Sequence, residues 1–468
     1  MRIHALGGAL LLCWATANLA EEAKPAEEAK PPPFTFALHG FVSGSVWAQD
    51  ASLGPSGGQQ SLYVNAQPPH QPNQDRISMG GDVRQSRFNF SVSGPQLPGF
   101  GNATPRGVLE IDFFGGFGSG NYGNVSVTPR LRWAYAELDW GGGNRILFGQ
   151  TNDLIFTIAP ASLAHIAFPY SYGSGNIGWR RPGIFGFHTM GDKKATNLEF
   201  AWEVGRSQWA DSGAAAFTCA LAGAAASGAT PATCTAANGS VNGTGQNTVG
   251  VGGDQYGFSF GEASGLPAVE ARLTLAEGAK WNVFTTGHWQ RADRSGVGVG
   301  PTTTAGISSD IDTIAVNAGG KYRAGPLQLA ATGFVGKNLA PLIGNFLQFQ
   351  GNGIGDIHAK GGWVQAGLNL TPLLSVWGFI GAEVPNEQDV MAAKLQKLRN
   401  VTSAGMIQYR DSVKVGGIAS DFAVGFEWIH MNTRLRQYTS ATVTQATANS
   451  NSGDVGGNQW ILSGNYFF

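Results

Sequence analysis

From Phe34 to Phe468 apolar and polar residues alternate one for one, in segment after segment. A β-strand pleats with a period of two, so such a segment turns one face to an apolar surrounding and the other to a wetter one. Phe34, Phe36, Leu38, Gly40 and Val42 share one parity; Phe88, Phe90 and Val92 alternate with Arg87, Asn89 and Ser91. Leu109, Ile111 and Phe113 alternate with Glu110 and Asp112, and Leu131, Trp133 and Tyr135 with Arg130, Arg132 and Ala134. The last segment does the same: Trp460, Leu462, Gly464, Tyr466 and Phe468 stand opposite Ile461, Ser463, Asn465 and Phe467.

The connections alternate as well. Long stretches, polar or rich in small residues at about 50–83, 115–123 and 206–253 and apolar without alternation at 151–176, take turns with tight ones such as 141–144, 277–278, 324–326 and 371–372. About sixteen strands result. Long loops on one side and short turns on the other is the plan of a transmembrane barrel, and soluble sandwiches do not hold it over so many strands. Beyond residue 20 no apolar run approaches the ~20 residues of a membrane-spanning helix. A bilayer could therefore be crossed only as a closed sheet, because an open one leaves backbone groups unsatisfied in lipid. Only 13% of residues are charged, against about 25% in an ordinary soluble domain. A net charge of -1 gives no reason to invoke nucleic acid. The fold class expected is an all-β, antiparallel transmembrane barrel, and sixteen strands leave an aqueous lumen. A water-filled hole across a membrane is a diffusion channel.

The beginning of the chain fits export. Arg2 and His4 precede an apolar run, and Ala15-Thr16-Ala17 and Asn18-Leu19-Ala20 offer cleavage sites, so residues 1–20 read as a secretory signal peptide. Residues 21–33, rich in Glu, Lys and Pro, read as a solvated tail, and the barrel domain is expected over 34–468. Cys219 and Cys234, the two cysteines beyond the leader, share one long loop. In an oxidising compartment they are expected to form a disulfide, and metal binding is the weaker reading. Residues 384–399 carry helical character. Near Glu137 the parity slips, because that acid would face lipid, so a bulge or the membrane edge is expected there.

Several stretches resemble the Gram-negative porins of the DcaP type. They are Arg87-Phe88-Asn89-Phe90, Leu109 to Gly116, Arg130 to Leu138 and Phe148-Gly149-Gln150-Thr151, with Glu427 and Gly457-Asn458-Gln459 near the end. The terminal Phe468 with Tyr466 two residues earlier resembles the assembly signal of outer-membrane barrels. The resemblance implies a homotrimer of sixteen-stranded barrels among outer-membrane lipids, passing small hydrophilic and preferably anionic solutes, with no cofactor. The chain departs from that family in its N-terminal extension, where a short Pro-ended tail stands in place of a helical one.

Charged rings at a constriction decide which ions pass a channel. Arg87, Arg106, Arg130 and Arg132 are expected to form a basic wall, joined by one of the neighbours Arg180 and Arg181, since only one of the two can point inward, with Glu110, Asp112, Glu199 and Glu203 opposing them. A lumen salt-bridge network is the alternative for each. The loop 151–176 follows the fifth strand, and the resemblance to porins of this size implies that it folds into the lumen; with Asp153 and His165 it is expected to make a weakly acidic constriction facing the arginines. His165 is expected to be structural rather than a pH gate. An enzyme is not expected: His288 and His430 have no accompanying motif, and no nucleophile elbow occurs. A surface adhesin or receptor carried by the long loops is the alternative function.

Overall fold

The computed structural model describes residues 33–55, 58–65, 77–115, 127–208, 260–293, 310–348, 355–393, 395–415, 418–438 and 448–468. The signal peptide, the tail before residue 33, Cys219 and Cys234 lie outside these residues.

Strand β1 (Thr35–Gln49) is followed by a small hairpin, β2 (Leu53–Pro55) and β3 (Ser61–Val64). Next come β4 (Ser78–Asp82) and β5 (Arg87–Ser93), which pair with the far and near halves of β1 and act as one interrupted stave. Fourteen further strands complete the wall. They are β6 (Thr104–Asp112), β7 (Arg130–Asp139), β8 (Arg145–Asn152), β9 (Arg180–Gly191), β10 (Thr196–Gly205), β11 (Ala268–Glu277) and β12 (Trp281–Asp293). The rest are β13 (Asp310–Ala324), β14 (Leu327–Lys337), β15 (His358–Asn369), β16 (Leu374–Pro385), β17 (Lys397–Val415), β18 (Ile418–Tyr438) and β19 (Ala448–Phe467). Each pairs antiparallel with the next, and β19 returns to β1 with Phe467 opposite Phe41 and Gln459 opposite Gln49. This is a closed sixteen-strand barrel. Among the described residues no helix is long and apolar enough to cross a membrane.

The alternation does what the sequence implies. Phe36, Val46, Val283, Val335, Ile380 and Leu462 point outward and are more than half exposed. The opposite parity is buried and polar: Ser45, Gln290, Thr313, Asn400, Gln459 and Asn465. A soluble sheet has its apolar side buried; here that side faces outward, as a lipid-facing wall requires. Tyr466 and Leu462 stand on this outer face, and the Phe468 backbone exchanges both hydrogen bonds with Gly40 (3.0 and 3.1 Å). Gly40 must be glycine, because a Cβ there would lie 2.1 Å from the Arg87 carbonyl oxygen.

Two local expectations shift. Glu137 is buried and faces inward, and the bulge that restores parity sits five residues earlier. Glu110 pairs with Trp133 and Ile111 with Leu131, so Arg132 is the extra residue on β7. Of the helical stretch expected at 384–399, only α1 (Glu387–Ala392) is a helix, capped by the Asn386 side chain, which accepts from the N–H groups of Gln388 and Asp389. Val384 and Pro385 belong to β16 and residues 397–399 to β17.

Three long connections turn inward and pack together. Leu62 and Tyr63 from the β2–β3 hairpin meet Tyr172 from the loop after β8 and Ile343 and Phe346 from the loop after β14. A second cluster joins Ile158, Ala164 and Tyr170 to inward-facing Phe284, Trp363, Phe379, Ile429 and Ile461. These segments cover the inner side of β11–β19.

Candidate functional site

The loop of residues 153–179 runs around the inner wall, held at each station by a barrel side chain. At its root Leu154 N–H donates to Glu203 (3.1 Å) and Ile155 N–H to Glu270 (2.7 Å). Further on, Asn317 donates to the Ile155 carbonyl (3.0 Å) and Ala161 N–H donates to Gln365 (2.7 Å). Glu427 then accepts from Ser162 Oγ and from the N–H groups of Leu163 and Ala164, each at 2.7 Å. Gln85 and Asn465 donate to the Leu163 carbonyl (2.6 and 3.0 Å). Carboxylates that accept backbone N–H groups satisfy an irregular chain inside a barrel, where unpaired amides are costly.

The loop's acid does not face the lumen. Asp153 and Arg181 are both fully buried and paired through two hydrogen bonds of 2.9 Å, and Asp153 also accepts from Trp179 N–H at the loop's other root (2.9 Å). Burial alone would raise the Asp153 carboxyl; the Arg181 guanidinium and the Trp179 amide hold it below the usual carboxylate range. Glu203 lies 3.3 Å from Arg181, and His288 Nδ1 lies 2.6 Å from Glu270. His165 is buried too, its ring nitrogens 3.3 Å from Gln459 and 3.2 Å from the Phe168 carbonyl, and burial brings its imidazole down to about 4. Asp153 and Arg181, expected at the constriction, instead fasten the loop because each finds its partners inside the packing, and His165, placed in the same loop, is buried as a structural group.

The other arginines gather on the opposite wall, β4–β9. Arg130 grips Asp112 through two bonds (2.9 and 2.6 Å), and Arg132, pushed inward by its bulge, bridges Glu110 (2.7 Å) and Asp112 (3.0 Å). Arg87 lies 3.6 Å from Glu110, and its Nε and Nη2 have no hydrogen-bond partner. Arg180 has no carboxylate within reach among the described residues and rests on the Trp179 ring at 4.0 Å. Aromatic rings interleave with the guanidiniums: Arg84 over Phe114 (4.7 Å) and Arg130 over Phe168 (4.9 Å) and Trp179 (5.5 Å). Arg84, Arg87, Arg130, Arg132 and Arg180 stand against Asp82, Glu110 and Asp112, leaving an excess of positive charge.

Arg106 sits nearer the turn end, 3.9 Å from Glu137, which Arg145 also approaches (3.3 Å). Both arginines keep more than a third of their side chains exposed. Of the expected opposing acids, Glu199 pairs with Arg272 (3.2 Å) and Glu203 serves the loop root. Sequence reasoning missed Arg84, hidden at the border of a long loop, and Arg145, just past the parity slip. The ring partners Phe114, Phe168 and Trp179 were also missed; all lie in loops where a period-two pattern carries no signal. Among the described residues, no group of three or more His, Cys, Asp and Glu side chains could hold a metal ion.

No protein-family model matches the chain, and no curated protein matches it in sequence. Solved structures do. The outer membrane channel DcaP of Acinetobacter baumannii superposes with a TM-score of 0.61 at 13% identity, over 94% of this chain and 99% of that one. The fold is that of a DcaP-type porin. An anion-selective porin from Comamonas acidovorans is similar at a TM-score of 0.51 and 11% identity, over 93% of this chain and 100% of that one. Within this porin fold the inward loop is the one after the fifth stave, and the arginine wall faces it.

Proposed function

We propose that the protein is an outer-membrane porin, a homotrimer of water-filled channels for small hydrophilic solutes with a modest preference for anions such as carboxylates. The observation that carries the anion preference is the unbalanced wall. Five guanidiniums meet three carboxylates on β4–β7 and β9, Arg180 lacks a counter-charge there, and the loop opposite offers no exposed acid. A guanidinium offers two parallel donors that match a carboxylate, and fixed charge at a narrow passage selects by sign. The name of the Comamonas protein, an anion-selective porin, points the same way. The N-terminal segment acts as a cleaved export signal in this reading.

The test is conductance of the purified protein in a planar bilayer under a salt gradient. Openings in steps of three with a reversal potential on the anion side are expected. A cation-side potential overturns the role given to the arginine wall, and absence of conductance overturns the channel.

A further inference from the structure

Outside the barrel, at the loop end of β13–β16, lies a concavity of about 670 Å³. Its floor is apolar, made by Ile314, Val335, Val384 and Pro385; its rim carries Lys337, His358, Lys360 and Glu387. Ile314, Val335 and Val384 share the lipid-facing parity: Val335 pairs with Lys360 and Lys360 with Val384, side by side on the outer surface, while Pro385 at the end of β16 is buried. Just below, Gly333, Gly362 and Ala382 occupy the corresponding outward positions on β14, β15 and β16. They project little or no side chain, so the hollow continues down the wall.

Its height is set by the strand. From outward-facing Leu368 to Lys360 β15 climbs eight residues, ~26 Å along the strand and ~20 Å along the normal at the usual tilt. An apolar band about 25 Å tall therefore ends close to Lys360. The rim acids are already satisfied. Asp356 pairs with Lys337 (2.6 Å), Asp389 with His358 (3.0 Å) and Glu387 with Arg434 (3.4 Å). Lys360 is exposed and has no ion-pair partner among the described residues. An ammonium left over at the upper boundary of a lipid-facing hollow is complementary to one kind of molecule, with an anionic head at the interface and a hydrocarbon chain beneath it.

We propose that this concavity binds a phosphorylated glycolipid of the outer leaflet, its phosphate on Lys360 with Lys337 beside it and an acyl chain over Val335 and Val384. The inference rests on the outer-membrane reading above. Native mass spectrometry of the full-length protein in detergent tests it, with bisphosphorylated lipid A, the same lipid stripped of both phosphates, and inorganic phosphate as probes.

The expected result is one lipid A per chain, bound about tenfold more tightly than the dephosphorylated form, with Lys360→Ala removing that advantage. Val384→Trp, which fills the hollow and keeps the charge, weakens both lipids. Heat-modifiable gel mobility verifies that each variant is a folded barrel. Equal binding by wild type and Lys360→Ala, or by the two lipids, overturns the proposal; displacement of lipid A by millimolar inorganic phosphate overturns the lipid as the source of the phosphate. A protein that conducts in bilayers yet shows no phosphate-dependent binding sinks this site and leaves the channel standing. One that never inserts into bilayers sinks the reading on which the site rests.

Discussion

Arg180 and Arg181 are neighbours in sequence with opposite fates, and they stand for the two sides of the lumen. Arg181 points to the side covered by the inward loop, loses all contact with solvent and is matched by Asp153 at 2.9 Å with Glu203 close by. Arg180 lies on the side of Arg130 and Arg132, stacked on Trp179, without a carboxylate of its own among the described residues. The same side chain serves as a fastener on one wall and as an unspent charge on the other. What separates them is supply of acceptors, since both are buried: the loop-covered side brings Asp153, Glu203 and Glu270 to one guanidinium, whereas the other side shares Asp82, Glu110 and Asp112 among five.

The comparison breaks most readily at the fastener. Arg181→Met leaves Asp153 buried without its partner, and breaking such a pair costs about 3–5 kcal/mol. Denaturant unfolding of the refolded barrel is expected to register that loss, whereas Arg180→Met lowers stability by less than about 1 kcal/mol. If the two variants unfold alike, the distinction between the walls fails.

Acid sharpens the same contrast. His165 titrates at about 4 in the folded protein against 6.5 for an ordinary histidine. Between those values the unfolded chain binds a proton that the folded one refuses, so stability falls as pH drops from 6.5 toward 4. The full effect is about 3 kcal/mol. Unfolding midpoints measured across this range are expected to fall less in His165→Gln than in wild type.

At the loop's far station Glu427→Ala strands three donors, at a cost of about 1–3 kcal/mol. Noisier single-channel current with the loop detached from β18 is the expected signature, and Glu427→Gln, which keeps one acceptor oxygen, recovers part of the quiet trace.

The smallest effect belongs to the wall that carries Arg180, itself buried. Arg180→Ala removes one charge from the passage and lowers the anion-to-cation permeability ratio roughly fivefold, the equivalent of about 1 kcal/mol. That preference is expected to fade between 0.1 M and 1 M salt, as the screening length shrinks from ~10 Å to ~3 Å. A ratio indifferent to both Arg180 and salt would place selectivity elsewhere.

The barrel was legible because its period is simple: Phe36, Leu109, Phe148 and Leu462 announce the lipid face by position alone. The inward loop was legible only through the resemblance to porins, which implies such a loop after the fifth strand. Its chemistry was not. Whether Asp153 meets water or Arg181 depends on how residues 153–179 lie against β9–β11, which no local pattern encodes. The bulge at Arg132 was visible only as a broken parity further along, since an inserted residue is noticed where the alternation finally goes wrong. The inward turns of the β2–β3 hairpin and the loop after β14 left no trace, because Leu62 and Phe346 read like any apolar residue in a loop.

The seam between β1 and β19 has a consequence for how the molecule comes into being. Phe41 meets Phe467 across nearly the whole length of the chain, so the contact that completes the ring is also the most distant in sequence. Until the final residues arrive, the growing sheet keeps two raw edges of unpaired amides and carbonyls, the arrangement most prone to adhere to other chains. Distant pairings of this kind form slowly. Before the last strand finds the first, the molecule is therefore an open ribbon with two adhesive margins.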